Sequence, residues 1–253
     1  MNRSLRSANF SIPSISDFIG CFACILLVGF TPPQVVAQTT IVAFGDSTTA
    51  TRGQLNIYAK RLAAAATLQP FGLKIINAGV GGNNTSLAGK RFDQDVLRHH
   101  ADIVIIQFGI NDAAVDVWRT PPATLPRISL KQFEENLKHF ITASQSQGTQ
   151  VILMTPNPMR WTAKLKTLYG KAPYAVNDPD GFNKLLVNYA ASVRKLANEH
   201  KVPLVDIYQV FRDYNKQPNQ SIDTLLLDGM HPNDRGHQII SKLLAIEIAD
   251  ILQ

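Results

Sequence analysis

Residues 41–47 read Ile41-Val-Ala-Phe-Gly-Asp-Ser47, a short apolar run that breaks at a glycine and ends at a serine. Such a run predicts a buried strand, and the glycine predicts a sharp turn at its end. Four similar runs follow along the chain, separated by amphipathic stretches. This alternation is typical of strands and helices that form a parallel sheet with helices on its faces. The sequence therefore predicts an α/β fold.

The predicted sheet has five parallel strands. They lie near residues 40–44, 73–77, 103–108, 150–155 and 202–206. In an open parallel sheet, ligands bind outside the carboxyl ends of the strands, near the point where the strand order reverses. With a strand order of 2-1-3-4-5, the loop that carries Ser47 lies between the loops after the second and third strands. We expect the functional site there.

Three of the helices between these strands have clear sequence signals. Ser129 and Gln132 form the pattern of a capping box, and Gly148 ends the same predicted helix. Two further helices are predicted near residues 183–200 and 235–252.

The first 37 residues resemble a cleaved secretion signal. Basic residues come first, then an uncharged apolar run over 18–30, then small residues before Gln38. That run is shorter than the roughly 18 residues of a membrane-spanning helix, so we predict cleavage rather than an anchor. Residues 38–253 would then form one domain, secreted or periplasmic, without a stable membrane span.

Both cysteines, Cys21 and Cys24, lie inside the predicted signal, so the mature chain would contain no thiol. The sequence before Cys21 is a poor lipid-attachment site, because the apolar run follows this cysteine instead of preceding it. The formal net charge of +6 comes from scattered basic residues without a dense Lys/Arg run. This pattern does not favour nucleic-acid binding.

A serine, a histidine and an aspartate supply the groups that acyl transfer requires. Ser47 offers a hydroxyl nucleophile, and Asp228-Gly-Met-His231 places an orienting carboxylate and a basic imidazole close together in a loop. The backbone N–H groups of Ser47 and Gly82 and the side-chain amide of Asn111 are candidate donors to the oxyanion. Together they predict a serine hydrolase.

Each of these residues also has a common structural role. Ser47 could cap a helix, the glycines near Gly82 could only turn the chain, and Asn111 with Asp112 could form an Asx turn. It is the combination in one chain that favours catalysis. Other templates fail: Asn84 replaces the third glycine of a dinucleotide fingerprint, and no Gly-x-Ser-x-Gly elbow occurs.

No metal or cofactor is predicted. His99, His100 and His237 have no metal-ligand spacing with acidic partners, so they are interpreted as surface or helix-end residues.

The motifs resemble those of the SGNH hydrolases, also called GDSL esterases. Gly45-Asp-Ser47 is similar to the first motif of that family, and Gly82, five residues after Asn77, matches its oxyanion glycine. Gly109-Ile-Asn-Asp112 and Asp228-Gly-Met-His-Pro232 match the third and last motifs. Thr48 departs from the leucine or isoleucine common after the serine, but no catalytic group is missing.

The resemblance implies a three-layer α/β/α, flavodoxin-like fold and a cofactor-free ester hydrolase. It leaves the substrate open, because the family includes carbohydrate acetylesterases, lysophospholipases, thioesterases and lipases. The long connections 112–128 and 156–182 contain no sustained apolar run that would cover a fatty chain, which favours short acyl groups on carbohydrates. Longer acyl chains remain an alternative. A non-catalytic carbohydrate-binding protein is a second alternative, but it has no need of a base and its carboxylate.

Three aromatic residues in those connections are candidates for substrate contact. They are Trp118, Trp161 and Tyr174. Local packing of the loops is the competing interpretation for each.

Overall fold

The structure is a computed structural model that describes residues 38–253. The predicted signal sequence, with Cys21 and Cys24, lies outside the described residues. Among residues 38–253, no helix has both the length and the apolar character needed to cross a bilayer.

A parallel sheet forms the centre of the described chain. Its strands are β1 (Thr40–Gly45), β2 (Lys74–Gly79), β3 (Ile103–Gln107), β4 (Gln150–Met154) and β5 (Leu204–Val205). Their order is β2-β1-β3-β4-β5, and all neighbouring pairs are parallel. The strand order therefore reverses beside β1, as predicted, and the loop after β1 lies between the loops after β2 and β3.

Helices cover both faces of this sheet. They are α1 (Tyr58–Ala63), α2 (Thr85–Gly89), α3 (Phe92–Asp95), α4 (Ile110–Ala113), α5 (Leu130–Ser146), α6 (Ala163–Tyr169), α7 (Leu186–His200), α8 (Ile207–Tyr214) and α9 (Asp234–Leu252). Successive side chains of β1 point to opposite faces. Val42 and Phe44 pack with α5 and α7, whereas Ile41 and Ala43 pack with α1 and α9. The predicted three-layer α/β/α fold is confirmed.

The end of β1 is fixed by an aromatic cluster. Phe44 is fully buried, and its ring lies 5.2–5.5 Å from the rings of Phe92, Phe108 and Phe140. Burying a side chain of this size contributes roughly 1.5–3 kcal/mol. The strand that leads to Ser47 is therefore anchored in the core three residues before the serine.

Several predicted boundaries were wrong by a few residues. β2 continues to Gly79, where an added Cβ would lie 2.3 Å from the Ala50 backbone nitrogen, so glycine permits the close approach to the serine loop. β5 contains only two residues, because Asp206 caps α8 directly after it. The helix predicted from residue 183 begins at Leu186, after a 3₁₀ turn.

The predicted capping box before α5 forms only in part. The Ser129 hydroxyl accepts a hydrogen bond from the Gln132 backbone N–H at 3.2 Å. The Gln132 side chain, however, donates to Asn136. Gly148 ends this helix as predicted, with a left-handed φ of 79°.

Candidate functional site

Ser47 lies in a turn directly after β1. The backbone N–H groups of Thr49 and Ala50 both donate to the Asp46 carbonyl, at 3.2 and 3.0 Å. No helix begins at this turn, so within the described chain Ser47 is not a helix cap. The adjacent Asp46 carboxylate is buried and accepts hydrogen bonds from the Thr48 backbone and hydroxyl. These bonds hold the turn and leave the Ser47 side chain half-buried.

Arg91 connects the ends of β1 and β2. Its guanidinium donates to the carbonyls of Gly45 at 3.0 Å and Ala78 at 2.8 Å, and it lies 4.7 Å above the Phe44 ring. The same side chain donates to Asn83 in the loop after β2. One partly buried cation thus fixes the serine loop relative to the glycine-rich loop.

Asp228 organises the loop before α9. Its Oδ1 accepts from the backbone N–H groups of Met230 at 3.1 Å and His231 at 3.0 Å. Gly229 between them has a φ of 86°, a left-handed conformation that favours glycine. The backbone of Leu227 closes the loop by donating to the His231 carbonyl at 2.8 Å. The carboxylate therefore faces the histidine of its own loop.

The two loops meet at a hydrogen-bonded line of three side chains. His231 Nε2 lies 3.0 Å from Ser47 Oγ, and His231 Nδ1 lies 2.8 Å from Asp228 Oδ2. An Nδ1–H that donates to the carboxylate leaves Nε2 free to accept the serine proton. Burial raises the pKa of Asp228, but hydrogen bonds from the His231 ring and backbone outweigh it and hold this pKa well below its usual range. The carboxylate is therefore ionised at any working pH.

The candidate oxyanion donors lie around the same serine. An added Cβ on Gly81 would lie 4.0 Å from the Ser47 Cβ, so the glycine-rich loop passes close to the nucleophile. Gly82 follows with a φ of 78° and is exposed. Asn111, in the short helix α4, donates through Nδ2 to the Asn83 carbonyl at 3.0 Å, and the same nitrogen lies 3.5 Å from Asp46 Oδ2.

Asp112, the last residue of the third motif, has a structural role. Its Oδ1 accepts from the Thr85 backbone N–H at 2.8 Å and the Thr85 hydroxyl at 2.6 Å. These bonds tie α4 to the start of α2. Burial raises the pKa of Asp112 to about 6, although the Thr85 bonds oppose the shift.

The three candidate aromatic residues occupy different environments. Trp118 is 48% exposed, and the Arg119 guanidinium lies 5.4 Å from its ring centroid. Trp161 stacks on Phe182 with centroids 4.5 Å apart. Tyr174 is buried, and its hydroxyl accepts from the Val115 N–H at 2.8 Å. Trp118 is therefore the most accessible of the three, while the other two also brace the loop 156–182.

A small cavity lies between Asn111 and Met230, the residue before His231. Its volume is about 30 Å³. The other lining residues are mainly apolar and include Ile110, Ala113, Met159, Tyr174 and Phe182. This volume has room for about two water molecules.

His237 lies at a helix end, in the first turn of α9, but it is buried and not on the surface. This residue is 2% exposed, and its Nδ1 accepts from the Tyr58 N–H at 3.3 Å. Burial lowers the pKa of His237 to about 4. Its place on the inner face of α9 explains the difference, whereas His99 and His100 are exposed.

Within residues 38–253, no three or more His, Cys, Asp or Glu side chains are grouped so that they could hold a metal ion.

Sequence reasoning missed Arg127, whose Nη1 lies 3.1 Å from Asn111 Oδ1. No local signal marks this arginine, because it lies in an irregular loop sixteen residues after its partner.

Comparison with known proteins finds a matching family model and relatives that include the following two. A family model described as "GDSL-like Lipase/Acylhydrolase family" matches residues 43–239. The chain is 32% identical over 225 residues to "Uncharacterized lipoprotein YqeF" of Bacillus subtilis, covering 84% of this chain and 90% of that protein. It is 26% identical over 186 residues to an acetylxylan esterase of Geobacillus stearothermophilus, covering 72% and 75% of the two chains.

The fold is also similar to solved structures. The crystal structure of a lipase/acylhydrolase from Enterococcus faecalis superposes with a TM-score of 0.62 at 26% identity. The match covers 84% of this chain and 96% of that one.

Proposed function

This chain belongs to the GDSL-like lipase/acylhydrolase family and is a serine carboxylic ester hydrolase, and we propose that it removes acetyl or other short acyl groups from carbohydrates. The hydrogen-bonded line from Ser47 through His231 to Asp228 carries the mechanistic part of this proposal.

In the proposed mechanism, Ser47 Oγ attacks the ester carbonyl while His231 Nε2 accepts its proton. Asp228 stabilises the imidazolium that forms, without itself taking the proton. The carbonyl oxygen becomes an oxyanion and accepts hydrogen bonds from the backbone N–H groups of Ser47 and Gly82 and from Asn111. Collapse of this intermediate breaks the ester C–O bond, and His231 returns the proton to the sugar oxygen. Water then hydrolyses the acyl-enzyme by the same steps in reverse.

Two observations support a short acyl group. The cavity between Asn111 and Met230 has room for an acetyl group but not for a fatty chain. Its lining includes the proposed oxyanion donor, Asn111, and Met230, which precedes the proposed base in the chain. The acetylxylan esterase of Geobacillus stearothermophilus is a relative with an acetyl ester in its name.

A carbohydrate alcohol is supported by Trp118. Its exposed ring, in the loop that follows Asn111, offers an aromatic face for stacking against a sugar. An apolar acyl chain would instead require a long groove beside the serine.

Hydrolysis of p-nitrophenyl esters from acetate to palmitate tests the acyl group. We expect kcat/KM to be highest for acetate and to fall steeply with chain length, and Ser47→Ala to be inactive on every ester. A maximum at palmitate would contradict the proposal and favour a lysophospholipase or thioesterase. Acetylated xylan, pectin and sialic acid then distinguish the alcohols.

Trp118→Ala tests the sugar contact separately. We expect a higher KM for acetylated xylo-oligosaccharides and an unchanged KM for p-nitrophenyl acetate, which has no sugar to stack. An equal change for both substrates would mean that Trp118 acts on the serine site and not on the alcohol.

Export with cleavage near Gln38 is also part of the proposal. It is supported by the order of basic, apolar and small residues in 1–37. The relative from Bacillus subtilis is named a lipoprotein, so the competing outcome is a lipid-modified chain beginning at Cys21 or Cys24.

A further inference from the structure

The side-chain amide of Asn111 is held from two sides. Its Nδ2 donates to the Asn83 carbonyl, while its Oδ1 accepts from Arg127 Nη1 at 3.1 Å. A flipped amide would place Oδ1 against the Asn83 carbonyl and the Asp46 carboxylate and would place the NH₂ group against a guanidinium. Both sides therefore select the orientation in which the N–H groups face Asn83 of the glycine-rich loop and Asp46 of the serine loop.

Arg127 is itself held by a buried carboxylate. Its Nε and Nη2 donate to Asp116 Oδ1 at 3.0 and 2.7 Å. The other oxygen of Asp116 lies 2.8 Å from Arg119 Nη2. Asp116 is 3% exposed, so it is a fixed anchor and not a mobile surface group.

The backbone around Arg127 is also attached to the segment that carries Asn111. The Arg127 N–H donates to the Ala114 carbonyl at 2.9 Å, and the Ile128 N–H donates to the Asp112 carbonyl at 3.2 Å. The two ends of the loop 112–128 are therefore hydrogen-bonded to each other. The distance between the guanidinium and the amide is set by the backbone as well as by the side chains.

We propose that Arg127 is a positioning residue for ester hydrolysis, acting through Asn111. This inference rests on the proposed role of Asn111 as an oxyanion donor. The guanidinium fixes the orientation of the amide, and its charge-assisted hydrogen bond to Oδ1 draws electron density from the nitrogen. The Nδ2–H group is then a stronger donor to the oxyanion. The loop 112–128, through the Asp116–Arg127 pair, thereby supports the chemistry.

Arg127→Met and Arg119→Met form a matched pair of variants. Both remove a partner of Asp116, but only Arg127 contacts Asn111. With p-nitrophenyl acetate, we expect Arg127→Met to lower kcat by about 10–10²-fold with little change in KM, less than the about 10²–10³-fold of losing the donor itself. Arg119→Met should keep kcat within about two-fold. Equal losses in both variants would mean that the pairing of Asp116 is what matters, and would overturn the proposal.

Arg127→Lys provides a second variant if the methionine protein does not fold. A lysine ammonium is a single point donor and cannot hold Asp116 and Asn111 together as the planar guanidinium does. We expect the kcat of Arg127→Lys to lie between that of the wild type and that of Arg127→Met. A lysine variant with wild-type kcat would contradict the proposal.

Combination with Asn111→Ala tests whether Arg127 acts through the amide. If it does, Arg127→Met should cost nothing further in the Asn111→Ala background, because the group that it positions is already absent. Losses that multiply in the double variant would overturn this inference. An Asn111→Ala enzyme with full activity would instead show that the proposed donor is wrong.

Discussion

Gly229 is a sensitive point of the loop that joins Asp228 to His231, and Gly229→Ala tests whether that loop geometry matters. The residue has a φ of 86°, and an added Cβ would lie 2.5 Å from the Arg160 carbonyl oxygen and 2.9 Å from Thr162 Cγ2. The Arg160 N–H already donates to the Gly229 carbonyl at 2.7 Å, so these two backbones cannot separate without losing a hydrogen bond.

The expected cost has two parts. A left-handed conformation costs a residue with a Cβ about 1–2 kcal/mol. Crowding against fixed neighbours adds typically 1–3 kcal/mol, which gives about 2–5 kcal/mol for Gly229→Ala. Gly148 is a control, because its φ is 79° and an added Cβ would meet nothing within 4 Å. Gly148→Ala should cost only the first part.

Thermal unfolding and kcat measured on both variants distinguish these effects. For a domain of this size, 1 kcal/mol corresponds to roughly 2–4 °C in Tm, so we expect Gly148→Ala to melt roughly 2–8 °C lower with wild-type kcat. Gly229→Ala should melt lower still and lose most of its activity, because a shifted loop moves the imidazole away from the serine. If the two variants had the same Tm and the same kcat, crowding at Gly229 would not control the loop, and the reasoning would be refuted.

Three further predictions concern the base, a buried histidine and the amino terminus. His231→Ala should be nearly as inactive as a variant without the nucleophile, and Asp228→Ala should retain more kcat, because the carboxylate only orients and stabilises the imidazole; an active His231→Ala enzyme would exclude the proposed base. The pKa of His237 is about 4 in the folded protein, below the unfolded value of about 6.5. Between these two pH values the unfolded chain binds more protons than the folded one. The free energy of unfolding therefore falls by up to about 3 kcal/mol as the pH falls from about 6.5 to about 4. His237→Asn does not titrate, so its Tm should fall less between pH 7 and 4.5 than that of the wild type; an equal fall would contradict the assignment. Mass spectrometry of exported protein should place the first residue at or near Gln38, and an intact Met1 would rule out cleavage.

The sheet was predictable because its strands are uninterrupted apolar runs. β1, β3 and β4 are buried on both faces, and such strands contain few polar residues that could obscure them. β5 was harder to delimit, because Pro203 and Asp206 leave only two residues between them in the ladder. The end of this strand is set by Asp206, which caps α8, and the apolar pattern does not predict that cap.

The candidate site was predictable only where its residues lie within short motifs. Ser47, Asp228 and His231 follow directly from loop sequences, and the fold brings them within hydrogen-bonding distance of one another. Arg127 was missed, and the burial of His237 was not predicted, because the residues that surround them come from other segments of the chain. A basic residue in an irregular loop gives no sign of a buried partner, and a histidine at a helix start gives no sign of which face is covered.

Ser47, the proposed nucleophile, and His231, its proposed base, lie 184 positions apart, after the first strand and just before the last helix of the described chain. A ribosome therefore makes the serine turn early and the imidazole almost last. Until the segment that carries His231 packs beside Ser47, the proposed nucleophile has no base to accept its proton, and we expect no ester hydrolysis. If these roles are right, hydrolysis of an ester reports that the carboxyl-terminal segment has packed against the sheet, where Ile240, Leu244 and Ile248 are fully buried.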